Sequence, residues 1–166
     1  YDDLFNYILS NDITQNSTYS YVNSLIDINQ LIDYIITEIF FGVTDWPQNN
    51  IKLWKPILSG KWRWILYDTD SGFFHRPEID NFISRVFADE ENFTNDWKIF
   101  PKLIDNSDFK NEFIQRFASH INITFNSEKV LSTIDSLKSN LEPEIEKHIE
   151  IWEARDSINI KVDSYD

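Results

Sequence analysis

Two short polar segments stand out in the sequence. The first is Asp45-Trp-Pro-Gln-Asn-Asn50 and the second is Asp68-Thr-Asp70-Ser-Gly72-Phe73. Together they offer three carboxylates and side-chain amides, a set of hard oxygen donors. Such donors suit a magnesium-sized cation, which takes one or two carboxylates and completes its shell with phosphate oxygens and water. A further carboxylate beside that cation can orient an attacking hydroxyl. Movement of a phosphoryl group asks little more covalent work of a protein than this.

The chain between the segments is what must bring them together. IKLWK and KWRWILY are rich in Ile, Trp and Tyr and flank PILSG. Such runs around a glycine-containing connection predict a β-hairpin. Antiparallel strands return to where they began. The loop ending at Asn50 and the loop starting at Asp68 are therefore expected side by side, with Asp45, Asn50, Asp68 and Asp70 in one region. Each residue also has a bland reading. Asp45 before Trp-Pro can simply start a turn, Asn50 can satisfy loop backbone groups, and Asp70 can be a turn residue before Gly72. The spacing is more specific. Protein kinases place an Asp five residues before an Asn on the catalytic loop, and a second, metal-binding Asp after a short hairpin. Asp45 and Asn50 have that spacing, and Asp68 stands in the place of the second Asp. The usual His-Arg before the first Asp is replaced by Val43-Thr44, and there is no Asp-Phe-Gly. Arg76 follows the acidic loop. It can neutralise a phosphate, pair with the Asp cluster, or form a plain surface salt bridge.

The supporting elements read as helices. Asp27 followed by Gln30 is a capping-box pattern. From there Ile28, Leu31, Ile32, Ile35, Ile36, Ile39 and Phe40 form one apolar stripe, and Gly42 suits a left-handed cap. The polar stretch from Ser10 to Asn23 reads as a surface loop after a short first helix. Downstream, Asn106 or Ser107 can cap a helix with Phe109, Phe113, Ile114, Phe117 and Ile121 inward. His120 at its end suits the helix dipole. Asn126 or Ser127 can cap another helix, through Val130, Leu131, Ile134, Leu137 and Leu141. Pro143 is expected near the start of a last helix, with Ile145, Ile149 and Trp152 inward and His148 in a structural role. The expected fold class is α+β, mostly α: a helical bundle with one β-hairpin.

Composition narrows the partners. A chain of 166 residues suits one domain or lobe, and 42% hydrophobic with 16% aromatic residues supports a packed core. The formal charge of −13 disfavours nucleic acid. It does not disfavour a phosphate ligand bridged by a divalent cation, which inverts the local sign. With no cysteine, disulfides and thiolate chemistry are excluded. No apolar run reaches the roughly 18 residues of a membrane span. The chain opens YDDLFNYILS and has no Met, and it reads as a fragment of a longer protein whose targeting signal or partner lobe could lie upstream.

Competing motifs fare less well. A calcium loop starting at Asp68 would need Gly and an acid where Phe73 and Ile79 stand. Phosphatases and glycosyltransferases with an Asp-x-Asp pair would need parallel-strand units, and the downstream chain reads as helices. Three scattered His without a Gly-x-Ser-x-Gly give no hydrolase triad. Trp46, Trp54, Trp62 and Trp64 could form a carbohydrate platform, but packing of the hairpin on the helices explains them more simply.

Between about Val22 and Trp152 the sequence resembles the spore-coat-H (CotH) kinase family. The resemblance rests on IDINQLIDYIITEIFFGVTDWPQNNIKLWK, on GKWRWILYDTDSGF, and on NSDFKNEFIQRFASHINITFNSEKVLSTID with EPEIEKHIEIW further on. It implies an atypical, distantly protein-kinase-like fold, of which this chain resembles the C-terminal lobe. The nucleotide-binding Lys and its acidic partner lie N-terminal to this region in the family, and no equivalent is visible in Tyr1–Ser24. The resemblance further implies ATP and Mg2+ or Mn2+ as cofactors and a coat or surface protein as phosphate acceptor. Asp45 would be the catalytic Asp, Asn50 and Asp68 metal ligands, and Asp70 a further candidate ligand. The implied compartment is a spore coat or a bacterial surface or envelope. A noncatalytic adhesion module that keeps the fold is the rival reading.

Overall fold

The computed structural model describes residues 2–47, 49–58, 60–73, 82–86 and 95–156. They divide into two compact units, Tyr1–His120 and Ile121–Asp166. The first contains α1 (Asp2–Ser10), α2 (Asn16–Leu25), α3 (Ile28–Phe41), β1 (Leu53–Trp54), β2 (Arg63–Trp64), α4 (Phe82–Val86), α5 (Asn95–Leu103) and α6 (Ser107–Ser119). A π-helical turn, His120–Thr124, follows, and α7 (Ser127–Asp156) fills the second unit. The mostly helical α+β class with one antiparallel hairpin is as the sequence predicts.

α3 is the central element of the first unit. Its Leu31, Ile32, Ile35 and Ile36 are fully buried, and each such side chain contributes roughly 1.5–3 kcal/mol relative to exposure. The Asp27 side chain accepts from the Gln30 N–H at 3.4 Å, and Gly42 closes the helix in the left-handed region. Only half of the capping box forms, because the Gln30 side chain is used elsewhere. Its Nε2 donates to the Trp64 carbonyl and its Oε1 accepts from the Trp64 N–H, both at 2.8 Å. A side-chain amide presents the same donor and acceptor as a peptide, so Gln30 acts as one more strand residue beside β2. The start of α3 is also tied in by backbone bonds, Trp62 N–H to Leu25 carbonyl at 2.8 Å and Asp27 N–H to Trp62 carbonyl at 3.0 Å.

The hairpin pairs Leu53 with Trp64 and Trp54 with Arg63. Trp64 turns inward against Phe100 of α5, while Trp54 is 43% exposed. Packing on the helices is thus the role of Trp64. Two ties bind α6 to the rest. Buried Asn106 caps the helix by accepting from the Asp108 and Phe109 N–H groups, and its Nδ2 donates to the Ile13 carbonyl at 2.9 Å. Arg116 and His120 meet Asp33 of α3 at 2.6 and 2.9 Å. Burial alone would raise the Asp33 pKa, but the bonds from Arg116 and His120 outweigh it and hold the carboxyl below its usual range.

Several expectations are corrected. Ser10–Asn23 is not a surface loop, because α2 occupies most of it. The segment is polar, yet Val22 is fully buried and Thr18 nearly so, and tertiary packing on these few side chains overrides the composition. On α6, Phe109 and Phe113 are buried but Ile114 is exposed, and Ile121 falls past the helix, exposed in the π-helical turn. Pro143 does not start a new helix and lies inside the continuous α7. The helix there is exposed, so water can take the carbonyl that the missing N–H leaves unpaired. Within the second unit the apolar residues of α7 are not inward either. Leu131, Ile134, Leu137, Leu141, Ile145, Ile149 and Trp152 are all exposed, and so is His148, whose ring meets Trp152. A single helix has no second layer to bury its stripe.

Candidate functional site

α3 ends at Gly42, and the chain enters the first polar loop directly. Val43 and Trp46 are buried and anchor it. Trp46 donates its indole N–H to the Tyr34 hydroxyl at 2.7 Å and meets Trp97 edge-on at 4.6 Å. Asp45, the residue before this anchor, is held half-buried. Its Oδ2 accepts from Asn50 Nδ2 at 2.7 Å and its Oδ1 from Ser71 Oγ at 2.8 Å.

The second loop is also held by α3. The Phe73 N–H donates to the Phe41 carbonyl at 2.7 Å, and the Phe73 ring rests on Phe40 and Phe41. Gly72 permits this approach. A Cβ there would lie 2.9 Å from the Thr69 carbonyl oxygen and 3.2 Å from the Phe41 Cβ. The two loops thus meet at the C-terminal end of α3, as hairpin topology predicts.

Backbone conformation marks the same place. Asn50, Asp68 and Phe73 have φ of 63°, 56° and 60°, and they are the non-glycine residues with positive φ among the described residues. Asn and Asp tolerate this region, while an aromatic residue there is an outlier. Strained residues cluster at ligand and catalytic sites.

Of the sequence candidates, Asp45 and Asn50 are in direct contact. The second loop reaches Asp45 through Ser71, which the sequence motifs pass over between Asp70 and Gly72. Asp68 and Asp70 are exposed. Among the described residues no three Asp, Glu or His side chains gather as a metal cage. The donors present still fit a magnesium-type cation, which needs only one or two carboxylates beside phosphate oxygens and water. Because Asn50 gives its NH2 to Asp45, its carbonyl oxygen is left for such a cation. Arg76 lies outside the described residues.

Sequence reasoning also missed Glu38. It is 1% exposed on α3, and among the described residues neither carboxylate oxygen has a hydrogen bond within 3.5 Å. Burial raises its pKa to about 7; the nearby Tyr34 hydroxyl lowers it, and the charge of Asp45 raises it further. The signal was present: Leu31, Ile35 and Glu38 fall at i, i+4 and i+7, which puts an acid in the apolar stripe.

No helix among the described residues is long and apolar enough to cross a membrane. No curated protein and no solved structure matches the chain. A family model does: the one described as CotH kinase protein matches residues 1–165, and the chain therefore belongs to the CotH kinase family.

Proposed function

We propose that this chain carries the catalytic and metal-binding half of an atypical protein kinase that transfers the ATP γ-phosphoryl group to a protein hydroxyl. One observation carries the reading. Asp45 accepts hydrogen bonds from Asn50, five residues ahead, and from Ser71, in the loop that Asp68 opens. These bonds fix the orientation of the carboxylate and leave lone pairs for an acceptor hydroxyl. Asp45 orients that hydroxyl and takes its proton. Asn50 and Asp68 hold the divalent cation, with Asp70 as a further ligand, and Arg76 serves the phosphates. Bound Mg2+ or Mn2+ supplies charge neutralisation at the phosphoryl oxygens. The proposed acceptor is a coat or surface protein; the family name suggests the spore coat as compartment, with the cell envelope as the alternative.

Thermal melting with ATP and manganese tests the reading. Ligand that binds only the folded state stabilises by about 2.7 kcal/mol at 100-fold saturation. The wild-type melting temperature should rise, and Asp68→Ala should remove the rise. A module that only keeps the fold would show no rise with nucleotide and metal together.

A further inference from the structure

The hairpin differs from the rest of the chain in charge. From Ile51 to Trp64 it carries four of the 15 basic residues, Lys52, Lys55, Lys61 and Arg63, and none of the 28 acidic ones. Arg63 is paired with Asp27 at 2.9 Å, and among the described residues the three lysines pair with no carboxylate. The tip is apolar and stands clear of the body. Ile57 is 100% exposed and Leu58 97%. The turn holds them out, because Pro56 closes against Gly60 in their place. A Cβ on Gly60 would lie 2.8 Å from the Pro56 Cγ. Behind the tip lie aromatic rings with cations over them. Lys55 Nζ is 5.9 Å from the centre of the Trp62 ring, the Arg63 guanidinium 5.6 Å from Trp54, and Lys52 Nζ 3.9 Å from Tyr67. An apolar tip, then amphipathic rings, then lysines whose stems lie along them is the order in which side chains meet a lipid interface.

We infer that the hairpin tip docks the chain on an anionic lipid surface, with Ile57 and Leu58 entering the acyl boundary and Lys52, Lys55 and Lys61 meeting the headgroups. This docking is independent of the kinase reading of Asp45. Size favours lipid over a protein partner. Two aliphatic side chains offer on the order of 200 Å² of apolar surface, whereas a stable protein interface takes about 800 Å² from each partner. A lipid surface sets no such minimum, and its hold grows with the apolar area buried and with the charge that meets anionic headgroups. The net charge of −13 does not oppose this contact. Charges farther away than about 10 Å are screened at 0.1 M salt, so the lysines at the tip act and the distant carboxylates do not. The same asymmetry turns the basic end toward the surface and the acidic remainder away from it.

Co-sedimentation of the full chain with vesicles tests the inference. The chain should pellet with vesicles of phosphatidylcholine and phosphatidylglycerol in equal parts, and bind phosphatidylcholine alone at least about tenfold more weakly. Ile57→Ser combined with Leu58→Ser should lose at least about tenfold on the mixed vesicles. Both side chains are exposed, so the double variant keeps its core. Lys52→Gln, Lys55→Gln and Lys61→Gln together should also lose at least about tenfold there. Ile114→Ser removes a half-exposed aliphatic side chain from α6 and should bind like wild type. No pelleting with either vesicle, equal binding to both, or full binding by the Ser double variant would overturn the inference. So would a concentration-dependent dimer in sedimentation equilibrium that the double variant abolishes, because the tip would then belong to a second copy of the chain.

Discussion

The Ser71 hydroxyl donates to Asp45 Oδ1 at 2.8 Å across 26 residues of chain. With Asn50 on the other carboxylate oxygen, Asp45 is gripped from both ends of the hairpin. The grip depends on the second loop lying against the end of α3. Gly72→Ala places a methyl group against the Thr69 carbonyl and the Phe41 side chain. Overpacking of this kind costs roughly 1–3 kcal/mol. Urea unfolding should show a loss in that range, and the Asp45 carboxyl signal in NMR should move as Ser71 withdraws.

Glu38 gives stability a distinct pH dependence. Its pKa is raised from 4.5 to about 7 in the folded chain. The folded state therefore holds the proton more tightly than the unfolded state, and this stability is fully present below pH 4.5. It is lost as pH rises through 7. Each pH unit between the two values is worth about 1.4 kcal/mol, so the whole loss is about 3 kcal/mol. Glu38→Gln should unfold at higher urea than wild type at pH 8 and show little difference at pH 4. Equal gains at both pH values would contradict a buried, titrating carboxyl.

Asn106 should be among the most sensitive polar residues of the first unit. One side chain caps α6 and satisfies the Ile13 carbonyl. Asn106→Ala removes a cap, typically about 1 kcal/mol, and orphans a buried acceptor, about 1–3 kcal/mol. Denaturant unfolding should register a loss of about 2–4 kcal/mol. A loss below about 0.5 kcal/mol would mean that water replaces both bonds.

What could be read from the residues followed from short-range physics. α3 was legible because Asp27, the apolar stripe and Gly42 all mark the same helix. The meeting of the two loops was legible because a hairpin has only one way to return. The groups that complete the site were not. Ser71 is unremarkable between Asp70 and Gly72, and its bond to Asp45 spans 26 residues of chain. Glu38 was masked by the apolar residues around it. The Gln30 pairing with Trp64 needs a strand that lies 34 residues away. α2 has a polar sequence whose helix depends on burying Val22, and Pro143 stays in a helix because its neighbours are exposed.

Under the proposed function, Asp45 and Asp68 serve metal-dependent phosphoryl transfer from the two ends of one hairpin. Transfer of label from γ-labelled ATP to protein, with magnesium or manganese, tests it most directly in the polypeptide that carries this domain. Wild type should incorporate phosphate only with metal, and Asp45→Asn and Asp68→Ala should each lose at least about a hundredfold while remaining folded. Incorporation that survives both substitutions, or none from folded wild type across a range of acceptor proteins, would contradict the account.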